Sequence, residues 1–198
     1  TKEQIGIYCD YSIAIGELAS TFVEELVLER SLIKTLKTKE DKICAITSQI
    51  EDIISTIHRQ IAIYSFEKRL HILFKEKGYL SLKDINNIFI EEMSAYLGPS
   101  VDMKGFEMFW MYINHIRELL FYTYSYASGL LMSKVLHARY KQNPESINIF
   151  KSILKKGNSD YVVNICKSHG LEVENKSFWE EGLQYGEKML LELEELIK

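Results

Sequence analysis

The sequence predicts an all-α protein, and three features of the chain make the case. Only two prolines, Pro99 and Pro144, and ten glycines punctuate it, and the glycines fall mostly between apolar-periodic runs. Apolar residues recur at three- and four-residue spacing, as one face of a helix requires, while strand-like alternation is nearly absent. A Ser or Thr followed three residues later by an acid stands at the start of several of these runs.

The elements follow in order. Residues 13–37 form the first helical run. "TKED" (Thr38–Asp41) is a capping-box pattern, in which side chain and backbone of the first turn bond reciprocally, and it opens a long helix. There Ile43, Ile46, Ile50, Ile53, Ile57, Ile61 and Tyr64 make one stripe expected to be buried. "SLKD" (Ser81–Asp84) caps a third helix that runs to about Leu97 and stops at "GPS". Residues 103–113 read as a short helix and 121–141 as a longer one. Asn143 before Pro144 reads as an N-cap and first-turn proline. "SFWE" (Ser177–Glu180) opens a C-terminal helix rich in Leu and Glu. The expectation is one all-helical unit over residues 1–198, without repeat or low-complexity linker.

Composition narrows the function. A chain of 198 residues, 46% hydrophobic and 26% charged, has enough apolar surface for a core. The net charge of -4, with no Lys/Arg block, argues against nucleic acid as a partner. No apolar run approaches the roughly 18–20 residues that cross a bilayer, so no membrane partner is expected. Cys9, Cys44 and Cys166 are odd in number and scattered, which fits thiols in a reducing, cytoplasmic compartment. The chain begins "TKEQIG", without an initiator Met or a signal-peptide plan, which fits a partial chain as well as a processed one.

Two stretches carry candidate chemistry. In "YSIAIGELASTFVEEL" (Tyr11–Leu26), Glu17 sits among apolar and small residues, and Glu24 shares its helix face. Seven residues rise about 10 Å along a helix at 1.5 Å each, so the two carboxylates cannot share one metal ion. Both also fit solvated or structurally paired charges. In "YINHIRELLFYTYSYASG" (Tyr112–Gly129), His115 precedes Tyr122, Tyr124 and Tyr126. On a helix Tyr122 and Tyr126 align while Tyr124 points away. A phenol keeps its proton near neutral pH, so a His and one or two Tyr converging on one spot can stabilise an oxyanion. Aromatics at helical spacing also serve simply as core. His58, His71, His137 and His169 lack metal-binding spacing, and "KKGNSD" (Lys155–Asp160) lacks the phosphate-loop pattern.

Four segments in order, "IGELASTFVEEL", "RQIAIYSFEKRLH" (Arg59–His71), "YLGPSV" (Tyr96–Val101) and "YINHI…FYTYSYASG", resemble the oligoendopeptidase F family, zinc metallopeptidases of the thimet-oligopeptidase clan. The closing "ILKKGNSDYVVNICKSHGLEVENKSFWEEGL" resembles that family's C-terminus, so the resemblance covers about Tyr11 to Lys198. It implies one Zn2+ held by two His of an H-E-x-x-H helix and by Glu17 as third ligand, with Glu24 in a supporting role. It also implies that His115 and Tyr126, with Tyr122 next, bind the backbone of an oligopeptide substrate and stabilise the tetrahedral intermediate.

The chain departs from the family at three points. It contains no H-E-x-x-H, which the resemblance places just upstream of Thr1, so this chain alone is expected to be inactive and to need the N-terminal part of the same protein. Leu120 stands where relatives often carry Pro, and Val23 where Gly or Asn is common. The reading is therefore the C-terminal part of a cytoplasmic, oligopeptide-cleaving zinc endopeptidase. The competing one is a stand-alone, non-catalytic helical binding protein on the same scaffold.

Overall fold

The structure is a computed structural model that describes residues 4–198 and, of 31–35, the backbone alone. The described residues are helical with no strand among them, as the sequence predicts. Among the described residues, no helix is long and apolar enough to cross a membrane. The described residues fall into two compact units: those up to Ile53 together with Ser128–Lys198, and Ile54–Ala127.

In the first unit, helix α1 (Ile13–Thr35) stops two residues short of the sequence expectation. The reason lies in the next cap. The amides of Lys37 and Thr38 donate to Asp41 Oδ2 at 3.3 and 3.1 Å, which draws this backbone into the start of helix α2 (Lys39–Ile53). Asp41 N returns a bond to Thr38 Oγ1 at 3.1 Å, completing the predicted capping box. Bonds from the Thr38 backbone and hydroxyl and from the Lys37 amide hold the Asp41 carboxyl below its usual range.

The core of this unit sets Ile15, Leu18 and Phe22 of α1 among Phe150, Ile153, Ile165 and Phe178 of later helices, with Phe22 stacked on Phe150 at 4.2 Å. Each such side chain contributes about 1.5–3 kcal/mol by leaving water. Asn143 caps as expected, accepting from Glu145 N at 3.1 Å, and a 3-10 turn (Pro144–Ser146) leads into a helix over Ile147–Lys156. That helix ends at Gly157 (φ 52), where a Cβ would come within 2.1 Å of the Tyr8 carbonyl oxygen. The "KKGNSD" stretch is thus a helix C-terminus packed against the N-terminal segment, with the Asn158 amide donating to Tyr8 O at 3.2 Å. A short helix over Val162–Lys167, not anticipated from the sequence, follows.

The "SFWE" signal is not used. The last helix (Lys176–Ile197) starts one residue earlier, with Asn175 extended at its N-cap. Phe178 is buried there and Trp179 Nε1 donates to Val173 O at 2.9 Å, so aromatic anchoring fixes the first turn. All three cysteines are free, Cys9 and Cys44 exposed and Cys166 buried, and burial pushes the Cys166 thiol up to about 11.

The second unit opens with a π-helical segment (Ile54–His58) leading into helix α3 (Arg59–Lys77). A π turn inserts an extra residue and rotates everything after it. Ile57 is buried as the stripe requires, but Ile61 is 45% exposed, and Ala62, Ile63 and Phe66 face the core instead. Gly78 ends α3 in the left-handed conformation (φ 74). Ser81 and Asp84 then form the predicted capping box of helix α4 (Leu82–Leu97). Phe66 meets Phe89 edge-on at 5.1 Å, and Arg69 bonds Glu92 at 3.1 Å, tying α3 to α4.

Residues 103–113 are not the expected helix. They form turns and a 3-10 segment (Phe109–Tyr112) because their aromatics are held from elsewhere. Phe106 stacks on Phe109 at 4.5 Å and on Phe89 at 5.9 Å, and Trp110 Nε1 donates to Asn86 Oδ1 at 2.9 Å.

Candidate functional site

The His115 stretch does not form one long helix. Helix α5 (Asn114–Glu118) is a single short turn, and helix α6 (Tyr124–Gln142) begins three residues later than the sequence suggests. Between them Leu119 leaves the helical region (φ -138, ψ 83) and Phe121 has φ 57, left-handed backbone that a bulky residue adopts only under constraint. The bend closes locally: Leu119 N donates to His115 O at 3.0 Å, Tyr122 N to Leu119 O at 3.1 Å, and Ser125 N to Tyr122 O at 2.9 Å.

This bend gathers three of the sequence candidates. His115 Nε2 lies 3.1 Å from the Tyr126 hydroxyl, within hydrogen-bond reach. Ring centroids are 5.3 Å apart for His115 and Tyr122, 5.7 Å for His115 and Tyr126, and 5.2 Å for Tyr122 and Tyr126. Tyr124 lies apart from that cluster, 44% exposed with its ring 5.9 Å from Tyr64. The helical-face argument sets Tyr122 beside Tyr126, and the two rings do meet although Tyr122 precedes the helix. His115 and Tyr126 border a cavity of about 480 Å³ walled by Ile63, Met93, Leu97, Phe106, Phe109 and Ile113, with Arg59 and Gln60 also lining it. Such a cavity takes an apolar group while the imidazole and phenol address a polar atom beside it.

Glu17 belongs to the other unit. It is half-buried on α1, where α6 crosses so closely that a Cβ on Gly129 would stand 2.7 Å from Glu17 Cβ and 3.0 Å from Leu18 N. Thr21 Oγ1 reinforces the crossing, within 2.8 Å of Glu17 O and 3.3 Å of Gly129 O. The Glu17 backbone is therefore fixed, as a ligand's would need to be. Glu24 is exposed. Val23 and Leu120, the two lesser departures from the family pattern, are exposed as well, so neither disturbs packing.

Fit to a metal can be judged on the donors present. A catalytic zinc needs three protein ligands and an open position. Among the described residues no three His, Cys, Asp or Glu side chains converge on one point. Glu17 is at most one of three, and these residues do not by themselves hold the ion.

Sequence reasoning missed the buried charges. Glu25, beside Glu24, is buried and pairs with buried Lys134, whose Nζ lies 4.3 Å over the Tyr185 ring. Burial holds the Lys134 ammonium below its ordinary range, Glu25 offsetting that in part, and it raises the Tyr185 phenol to about 12. His137 Nε2 meets Glu29 at 2.9 Å, and Glu29 also pairs with Lys141 at 2.7 Å. His169 bonds Ser152 Oγ at 2.6 Å. A lone Lys within the apolar run "GLLMSKVL" was the available signal for the first of these. Glu67, fully buried on α3, was missed too.

Comparison with known proteins matches the family model described as "Peptidase family M3" to residues 1–185. Among curated relatives, the group B oligopeptidase PepB of Streptococcus agalactiae is 29% identical over 99% of this chain and 33% of its own length. Oligopeptidase PepF of Bacillus subtilis is 26% identical over 99% of this chain and 29% of its own. The crystal structure of oligoendopeptidase-F from Enterococcus faecium superposes with a TM-score of 0.81 at 27% identity, covering 94% of this chain and 36% of that one. The chain thus spans about a third of the length of the curated relatives it matches.

Proposed function

The chain belongs to peptidase family M3, and from that premise we propose that it is the C-terminal part of a cytoplasmic zinc endopeptidase that cleaves short oligopeptides. The observation that carries the reading is the His115–Tyr126 pair, 3.1 Å apart at the edge of an apolar cavity. Without substrate the two polar groups satisfy each other. A peptide carbonyl brought beside them would exchange that bond for bonds from the imidazole and the phenol.

As the carbonyl becomes tetrahedral its oxygen gains negative charge, and donors already in place strengthen their bonds at no cost in reorganisation. A phenol keeps its proton near neutral pH, so the Tyr126 hydroxyl can donate to that oxygen. Tyr122, packed against both rings, limits how far either can swing. The apolar walls would take a substrate side chain and keep water from the donors.

Glu17 is proposed as this chain's single zinc ligand, with Glu24 as a supporting group and the remaining ligands and the general base on the preceding part of the protein. The ion, when bound there, would supply Lewis-acid chemistry.

Full-length protein tests each role. Glu17→Gln should abolish tight zinc binding, whereas equal zinc content in wild type and variant would refute the ligand role. Tyr126→Phe should leave zinc bound and lower kcat on the order of 100–1000-fold, as loss of one oxyanion donor does. A zinc-loaded protein that cleaves no peptide would favour the non-catalytic binding module.

A further inference from the structure

We propose that Glu67 is a positioning residue for the His115–Tyr126 pair: through the Phe121 amide it holds the bend that brings Tyr122 and Tyr126 to the imidazole. The proposal deepens the functional reading above and rests on it for its kinetic consequences only.

Glu67 is fully buried on α3. An acid in an apolar core is disfavoured unless something there requires it. Its Oε1 accepts the Phe121 N–H at 2.8 Å, while its Oε2 has no hydrogen-bond partner among the described residues. A residue kept solely for packing would carry no such orphan oxygen, since Met or Leu would fill the space without it. What the carboxylate does is anchor one amide.

That amide belongs to the single non-glycine residue with positive φ among the described residues, Phe121 at 57°. An aromatic side chain disfavours this conformation, which persists only where its surroundings over-determine it. Three contacts do so. The amide is held by Glu67, and the ring lies 5.0 Å from His71 and 6.0 Å from Tyr64, both also on α3. Tyr122 follows directly, its amide tied back to Leu119 and its carbonyl accepting from Ser125 N and Ser125 Oγ at 2.9 and 2.6 Å. The direction of the chain at Phe121 therefore sets where Tyr122 and the first turn of α6, with Tyr126, stand relative to His115. Releasing the amide would let the bend relax and open the 3.1 Å contact.

The experiment compares Glu67→Gln, Glu67→Met and Glu67→Met with Phe121→Gly in the full-length protein. Peptide kinetics and the ring-nitrogen NMR resonances of His115 are the readouts. Glu67→Gln keeps an acceptor oxygen and should hold kcat within about threefold of wild type. Glu67→Met should lower kcat about tenfold or more with KM changed less than about threefold, the pattern of lost transition-state contact. It should also move the His115 resonance. Phe121→Gly, which reaches positive φ without strain, should recover part of both effects.

A folded Glu67→Met protein with unchanged kcat and an unmoved His115 resonance overturns the proposal. So does a kcat loss that merely follows the folded fraction. If Glu67→Met does not fold, Glu67→Asp, which withdraws the acceptor by one methylene, is held to the same outcomes. If Tyr126→Phe leaves kcat intact, the functional reading fails by itself, and the His115 resonance still decides the positioning role.

Discussion

The Lys134 ammonium of α6 lies against the Glu25 carboxylate of α1, with both side chains buried and the Tyr185 ring 4.3 Å from the nitrogen. Neither charge has water to fall back on. Lys134→Met should therefore cost about 3–5 kcal/mol by stranding Glu25, and Glu25→Gln a comparable amount by stranding Lys134. The double variant Lys134→Met with Glu25→Gln should recover most of the loss, because the stranded charge is gone. Urea denaturation of the three variants measures this, and strictly additive single effects would show that the pair is not coupled.

Gly129 and Gly186 make opposite predictions. A Cβ at Gly129 meets Glu17 Cβ at 2.7 Å and backbone atoms of Glu17 and Leu18 at 3.0 Å, so α1 and α6 would have to move apart. Gly129→Ala should destabilise by about 1–3 kcal/mol and, with Glu17 as the proposed ligand, weaken metal retention in the full-length protein. A Cβ at Gly186 meets only Ile53 Cγ2 and Cδ1 at 3.7 and 3.8 Å, an ordinary contact. Gly186→Ala should gain about 0.5–1 kcal/mol from helix propensity alone. Thermal melts of the two variants shifting the same way would contradict the account.

The helix caps sort in the same manner. Ser81 Oγ accepts from Asp84 N at 3.2 Å and its amide donates to Asp84 Oδ2 at 2.9 Å, so Ser81→Ala should cost about 1 kcal/mol. Ser177 carries the same sequence signal but lies inside the last helix, one residue past its start. Ser177→Ala should be neutral or slightly stabilising, as Ala is the better helix former. A full capping loss at Ser177 in denaturant titrations would place the helix start wrongly.

The sequence made legible whatever depends on local spacing. The all-α class, the boxes at Thr38 and Ser81 and the Asn143 cap follow from neighbours a few residues apart, and the structure keeps them. It concealed whatever depends on a distant partner. Ile61 leaves its stripe because of a π turn that no periodicity announces. Residues 103–113 abandon helix because Phe89 and Asn86, on α4, hold Phe106 and Trp110. The same division runs through the candidate site. Tyr122 and Tyr126 were paired by spacing, whereas Glu67, 54 residues from Phe121 in the chain, has no local signal tying it to that bend. Only the rotated face of α3, with Ile63 and Phe66 inward, shows that Glu67 sits where a core residue belongs.

Alkaline pH should expose two buried groups in a fixed order of cause and effect. Burial, helped by the negative charges of Glu25, Glu29 and Glu192, raises the Tyr185 phenol from 10.0 to about 12, and burial alone raises the Cys166 thiol from 9.0 to about 11. In both, the folded chain binds the proton more tightly than the unfolded chain does. Their contributions to stability are therefore whole below pH 9 and are lost as pH climbs, through 9 to 11 for Cys166 and 10 to 12 for Tyr185. Cys166→Ala, itself destabilising at neutral pH through lost packing, should flatten the pH dependence of stability in the first window, and Tyr185→Phe in the second. The absorbance difference between wild type and Tyr185→Phe should show the missing phenol ionising near pH 12 when folded and near 10 in denaturant. A phenolate already present at pH 10 in the folded protein would mean that Tyr185 is not held beneath Lys134 and the surrounding acids as described.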